Sequence, residues 1–200
     1  MKVNAVIFDL DGTLTEPVLD FDTIRSEMGL PPESVDILTA MEAMAPARQK
    51  QAHSILARHE HHAAQNSQLN DGVTELLAEL RRRKIPIGLL TRNTRENTLH
   101  AARRHQLRFD AIVDRQDGPV KPDAYGVLEI CRRFNATPAE TVIVGDFLHD
   151  LQSARNAGAI AVLIKTHPKA DHYKAHADYS ISHMSELLGI INKIEAGVKL

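Results

Sequence analysis

The sequence predicts an α/β fold: a Rossmann-like, doubly wound parallel sheet that carries a small all-helical insertion. Three observations predict it. Short apolar runs recur without polar alternation, as strands buried on both faces do. Segments with apolar residues at helical spacing separate those runs, so strand and helix alternate. One stretch, residues 16–69, breaks the alternation and holds no convincing strand.

The elements follow in order. Residues 3–8 (VNAVIF) form the first strand. Phe21 to Met28, Glu33 to Met44 and Ala47 to Gln65 read as helices, divided by Gly29, Pro31, Pro32 and Pro46. Residues 73–84 place Val73, Leu76, Leu77 and Leu80 on one helical face. Strand 85–90 comes next, then helix 93–105, strand 111–113, helix 124–134, strand 141–144, helix 148–157 and strand 161–164. A short strand at 179–181 precedes a last helix at 184–194. The expected division is an α/β core of residues 1–15 plus 70–200 and a helical insertion of residues 16–69.

Composition narrows the function classes. The chain has 200 residues, 43% hydrophobic, enough for one sizeable core. A net charge of -2 gives no reason to expect a nucleic-acid surface. The single cysteine, Cys131, leaves no internal disulfide and fits a reducing compartment. No run approaches the roughly 20 apolar residues of a membrane span, and the N-terminal apolar run is short for a secretory signal. The expectation is a cytoplasmic protein, a monomer or weak dimer, with no nucleic-acid or membrane partner. The Arg81–Lys84 run reads as a solvated helix end, where cations complement the helix dipole. His53, His59, His61 and His62 lack the spacing of a zinc motif and read as surface histidines.

In open α/β sheets ligands bind outside the carboxyl ends of the strands. Four runs there carry polar residues. Asp9-Leu10-Asp11-Gly12-Thr13 follows the first strand; one carboxylate can act as nucleophile while a second handles the proton. Alternation along an extended segment would put Asp9 and Asp11 on one side. Turn or cap duty is the competing reading, and a calcium loop fails because Leu14 stands where its glycine belongs. Thr91-Arg92-Asn93 offers a hydroxyl and backbone N–H groups at a helix start, either an anion site or an ordinary cap. Lys121, before Pro122, can neutralise phosphate charge or be a plain loop lysine. Asp146 and Asp150, in the run GDFLHD, suit Mg²⁺, or else cap the next helix.

Taken together, the DxDGT run at 9–13, Thr91, Lys121 before a proline and the GDxxxD run at 145–150 resemble the haloacid dehalogenase superfamily. The likeness is to its subfamily I members with a small helical C1 cap, the phosphoglycolate phosphatase-like group. It spans nearly the whole chain outside the inserted helices. The resemblance implies that Asp9 is the nucleophile and Asp11 the general acid/base. It implies that Thr91, Arg92, Asn93 and Lys121 bind substrate phosphate. It implies that Asp9, the backbone carbonyl of Asp11, and Asp146 hold Mg²⁺. Asp150 is then either a ligand through water or a partner of Lys121. The insertion occupies the place of the cap, expected to cover the site and tune substrate choice. Aspartate two residues after the nucleophile favours phosphoryl transfer, so the expected activity is hydrolysis of a small phosphorylated metabolite. A phosphosugar mutase is the alternative; a non-catalytic phosphoester-binding protein is the reading from another class.

Overall fold

The computed structural model describes residues 1–32 and 36–197. Two compact units form, one of Met1–Pro17 with Gln68–Leu200 and one of Val18–Ser67.

The larger unit holds a parallel sheet with strands β1 (Ala5–Phe8), β2 (Ile87–Leu90), β3 (Ala111–Val113), β4 (Thr141–Gly145), β5 (Ile160–Ile164) and β6 (Tyr179–Ile181). Its spatial order is β3-β2-β1-β4-β5-β6. The chain moves outward from β1 to β3 on one side, then returns to place β4 against the other side of β1. β1 and β4 run in register, with Phe8 opposite Val144. Their next residues therefore emerge side by side at the point where the winding reverses, the place such sheets reserve for ligands.

Burial on both faces explains the continuous apolar runs. Val6 and Phe8 point into one core with Leu76, Leu80 and Ile191. Ile7, between them, points into the other with Val127, Ile130 and Leu151. The first face is covered by helices α4 (Val73–Arg82), α5 (Arg95–Arg104) and α9 (Leu187–Glu195), the second by α6 (Tyr125–Phe134) and α7 (Leu148–Ala157). Gly88 on β2 is required by close packing: a Cβ there would stand 2.8 Å from Ile130 Cγ2.

The smaller unit contains α1 (Phe21–Glu27), α2 (Ile37–Glu42) and α3 (Pro46–Asn66) around Ile24, Met28, Met41 and Leu56. Asp20 caps α1, its carboxylate accepting from the backbone N–H groups of Asp22 and Thr23. Pro46 opens α3, because a first-turn position needs no N–H donor. The second helix, expected to begin at Glu33, begins at Ile37 with Asp36 capping Thr39 N at 3.2 Å; residues 33–35 lie outside the described residues. A short helix α8 (Ala170–Tyr173), not expected from the sequence, follows β5. The helix expected over residues 184–194 opens with a 3₁₀ turn, Met184–Glu186, before α9. No helix among the described residues is long and apolar enough to cross a membrane.

Ile130 contributes a fully buried side chain to the core that β1, β2 and α6 share. Ile130→Ala is expected to lower unfolding free energy by about 2–5 kcal/mol, the range for a buried aliphatic cut back to a methyl. Urea unfolding of both chains checks this; a loss below about 1 kcal/mol would contradict the packing described.

Candidate active site

β1 ends at Phe8, and a turn follows over residues 10–14. The Thr13 and Thr15 backbone N–H groups both donate to Leu10 O, at 3.3 and 2.9 Å. The turn is closed on Leu10, one residue after Asp9, whose own N–H still donates to Val144 O at 3.0 Å. Gly12 makes that turn possible, with φ +87° and no room for a side chain, since a Cβ would lie 2.5 Å from Asp146 Oδ2.

Asp9 is tied down by Lys121. The buried Nζ donates to Asp9 Oδ1 at 2.5 Å, to Asp150 Oδ1 at 2.6 Å and to Leu90 O at 2.9 Å. An ammonium has three hydrogens, and here all three have acceptors. Asp150, inside the first turn of α7, uses its other oxygen to accept from Phe147 N at 3.1 Å. Its side chain lies so close to β4 that a Cβ on Gly145 would sit 2.1 Å from Asp150 Cβ. Asp146 follows β4 directly, and the Thr13 hydroxyl donates to its Oδ1 at 3.0 Å.

On the other flank, Asn93 Nδ2 donates to Asp11 Oδ2 at 3.0 Å. The Asn93 carbonyl oxygen accepts from Thr94 N and Asn97 Nδ2, which fixes which way the amide faces. Thr91 is buried and its hydroxyl oxygen accepts from Asn93 N at 3.1 Å. Arg92 is half-buried between them. The structure thus gathers Asp9, Lys121, Asp146 and Asp150 into one group and sets Asp11 with Asn93 and Thr91 beside it.

Electrostatics mark the site as unusual. Burial pushes the Asp9 carboxyl up to about 7; Lys121 opposes this, and the charges of Asp150 and Asp11 add to it. Burial also raises Asp146 well above the ordinary carboxylate range, helped by Asp150 and Asp9. Asp11 is raised by burial too, against the Asn93 hydrogen bond and Lys121. Lys121 is disfavoured as a cation by burial, yet Asp150 and Asp9 outweigh that and hold it up at about 12.

One ligand oxygen each from Asp9, Asp146 and Asp150 lies within 4.8 Å of the others, the one such acid, histidine or cysteine group among the described residues. Clustered hard oxygen donors whose charges repel are a donor set that fits Mg²⁺. The Asp11 carboxylate stands outside this group, leaving its backbone carbonyl as the atom it could offer. The histidines of α3 form no comparable group among the described residues: His59 Nε2 faces Glu27 Oε2 at 3.2 Å, and His61 Nε2 faces Gln65 Nε2 at 2.9 Å.

Several contributors had no distinct sequence signal. Thr13 lies inside the quoted motif, but its bond to Asp146 depends on the turn. Asn70 and Thr166 come from loops far along the chain and grip the same turn. Phe147, His167 and Tyr173 pack edge to face at 5.1 Å immediately beyond Asp146.

A protein-family model described as haloacid dehalogenase-like hydrolase matches residues 6–164. The chain is 31% identical to an uncharacterized hydrolase of Saccharomyces cerevisiae, over 96% of this chain and 92% of that protein. It is 28% identical to an N-acetylmuramic acid 6-phosphate phosphatase of Pseudomonas aeruginosa, over 96% of each chain. In fold it resembles a hydrolase from Pseudomonas syringae with a TM-score of 0.82 at 19% identity, covering 96% of this chain and 99% of that one.

The raised Asp9 carboxyl has a consequence for stability. Its folded pKa of about 7 exceeds the unfolded value of 3.8, so the folded state binds more protons between those limits. This group's contribution therefore becomes less favourable as pH rises from about 4 to about 7. In metal-free buffer, the melting temperature of Asp9→Asn relative to that of the unaltered chain is expected to be higher at pH 7.5 than at pH 5. Thermal melts of both chains at the two pH values check this; a relative melting temperature that is instead higher at pH 5 would contradict the assignment.

Proposed function

The chain belongs to the haloacid dehalogenase-like hydrolases, and from that premise we propose that it is a Mg²⁺-dependent phosphatase that hydrolyses a small phosphomonoester through an aspartyl-phosphate on Asp9. The observation that carries this reading is the setting of Asp9. One of its carboxylate oxygens is held by Lys121, and it stands at the β1 tip beside Asp146 and Asp150.

Asp9 attacks phosphorus with a carboxylate oxygen; an oxygen–phosphorus bond forms and the bond to the leaving alcohol's oxygen breaks. Asp11 gives its proton to that departing oxygen. Burial raises the Asp11 carboxyl, so it retains a proton for this task better than a solvated acid would. Asn93 holds Asp11 Oδ2, leaving the other oxygen for the proton. Asp11, now a carboxylate, then takes a proton from water as that water attacks phosphorus. The bond to Asp9 breaks, releasing inorganic phosphate and restoring both acids. Lys121 keeps Asp9 oriented and offsets charge, while Thr91, Asn93 and Arg92 line the flank where phosphate oxygens need donors. Mg²⁺, held by Asp9, Asp146 and the Asp11 carbonyl, with Asp150 supporting Lys121, would neutralise phosphate charge against the carboxylates.

Turnover of an aryl phosphate tests the reading. EDTA is expected to abolish activity and added Mg²⁺ to restore it. Asp9→Asn is expected to lower kcat on the order of 10³-fold or more. Full turnover in EDTA, or by Asp9→Asn, would overturn the proposal.

The two aspartates are separable by leaving group. An aryl oxygen departs with little protonation, an alkyl oxygen does not. Asp11→Asn is expected to cost at least about tenfold more on an alkyl phosphate than on an aryl phosphate, roughly 1.4 kcal/mol in barrier. Equal losses on both substrates would remove Asp11 from the proton-donor role. The physiological substrate is best sought with a panel of phosphorylated metabolites ranked by kcat/KM.

A further inference from the structure

Four consecutive carbonyls, those of Gly12, Thr13, Leu14 and Thr15, receive donors from one residue. Asn70 Nδ2 donates to Thr13 O at 2.6 Å, Thr15 O at 3.0 Å and Gly12 O at 3.3 Å. The Asn70 backbone N donates to Leu14 O at 3.0 Å. An amide NH₂ has two hydrogens, so its three acceptors share them and converge on one point. The Thr166 hydroxyl adds a second donor to Gly12 O, at 2.5 Å. A turn outside any ladder must find partners for its carbonyls, and satisfying them is by itself a structural duty.

What the turn carries gives Asn70 a second duty. Thr13 presents its hydroxyl to Asp146 Oδ1 at 3.0 Å, and Gly12 lies flush against the same carboxylate. Nothing fits between them: even one carbon added to Gly12 would overlap Asp146. A shift of the turn therefore moves the Asp146 carboxylate or breaks its hydrogen bond. We propose that Asn70 is a positioning residue for Asp146, setting through the turn of residues 12–15 how that carboxylate is presented to Mg²⁺. This rests on the reading that Asp9 and Asp146 hold the metal. The Asn70 amide is spent on the turn, so it acts through Thr13 and Gly12. A polar group that orients a ligand in this way typically controls affinity about 10–100-fold.

The test is calorimetric titration of Mg²⁺ into the metal-free full chain, with melting temperature measured alongside. Asn70→Ala is expected to weaken Mg²⁺ binding by about tenfold or more. Its kcat on an aryl phosphate at saturating Mg²⁺ is expected to stay within about threefold of the unaltered chain, since the reacting groups are intact. Asn70→Ser, which keeps one donor, is expected to fall between the two in Mg²⁺ affinity. A residue that only braced the turn would lower the melting temperature and leave Mg²⁺ affinity unchanged in the folded protein. That outcome in Asn70→Ala, or in Asn70→Ser should the alanine variant fail to fold, overturns the proposal. If the unaltered chain binds no Mg²⁺ at all, the metal site itself is wrong, and Asn70 has no such role.

Discussion

Lys121 is the constraint around which the site closes. Its ammonium is buried and spends its three hydrogens on Asp9, Asp150 and a backbone carbonyl at the end of β2. A buried pair of this kind earns no large stability by forming, because desolvating the charges cancels most of their attraction. Losing one partner is another matter and typically costs about 3–5 kcal/mol, since a buried charge is left alone. The lysine therefore ties its own loop to the tip of β1, the end of β2 and the first turn of α7. The acids still outnumber it: Asp9, Asp11 and Asp146 all titrate above their ordinary range because burial disfavours their charge. Such an excess of buried carboxylate is relieved by bound protons or by a further cation.

The sheet supplies the coordinates for that meeting. Because β1 and β4 pair in parallel register, Asp9 and Asp146 leave adjacent strand ends. β2, on the other side of β1, delivers Thr91 and then Asn93. Two glycines let acid side chains lie flush against the backbone and so converge: Asp146 against Gly12 and Asp150 against Gly145. Substituting either would push a carboxylate aside before any chemistry began. In the proposed reaction this proximity gives Asp9 and Asp11 different neighbours, and so different tasks. Asp9 faces the cation Lys121, while Asp11 faces the neutral donor Asn93.

Much of this was legible in the sequence. The strands announced themselves because parallel strands covered on both faces need apolar residues at every position. Residues 111–113 and 179–181 were read at their observed bounds, and the others within two residues. Asp9, Asp11, Thr91 and Asp146 stood out because each closely follows such a run, and Lys121 because it precedes a proline in the loop after residues 111–113. The turn closed on Leu10 was not legible, since its carbonyls find partners in residues far along the chain. The bond from the Asn93 amide to Asp11 was not read from the sequence, since the two are 82 residues apart. Asn70, Thr166 and the Phe147–Tyr173 contact stayed hidden because loop side chains have no periodicity; tertiary structure alone gives them their partners. Asp36, the cap of α2, was not singled out in the sequence, where Pro31 and Pro32 marked the break between the helices.

The central claim is that Asp9 carries the phosphoryl group during turnover. The most direct measurement is acid quenching of the chain during hydrolysis of an aryl phosphate, followed by peptide mass mapping. The account requires a phosphorylated peptide with the modification on Asp9, present with Mg²⁺ and absent in Asp9→Asn. Phosphate trapped on any other residue would contradict it, as would steady turnover with no covalent phosphate under conditions that trap acyl-phosphates.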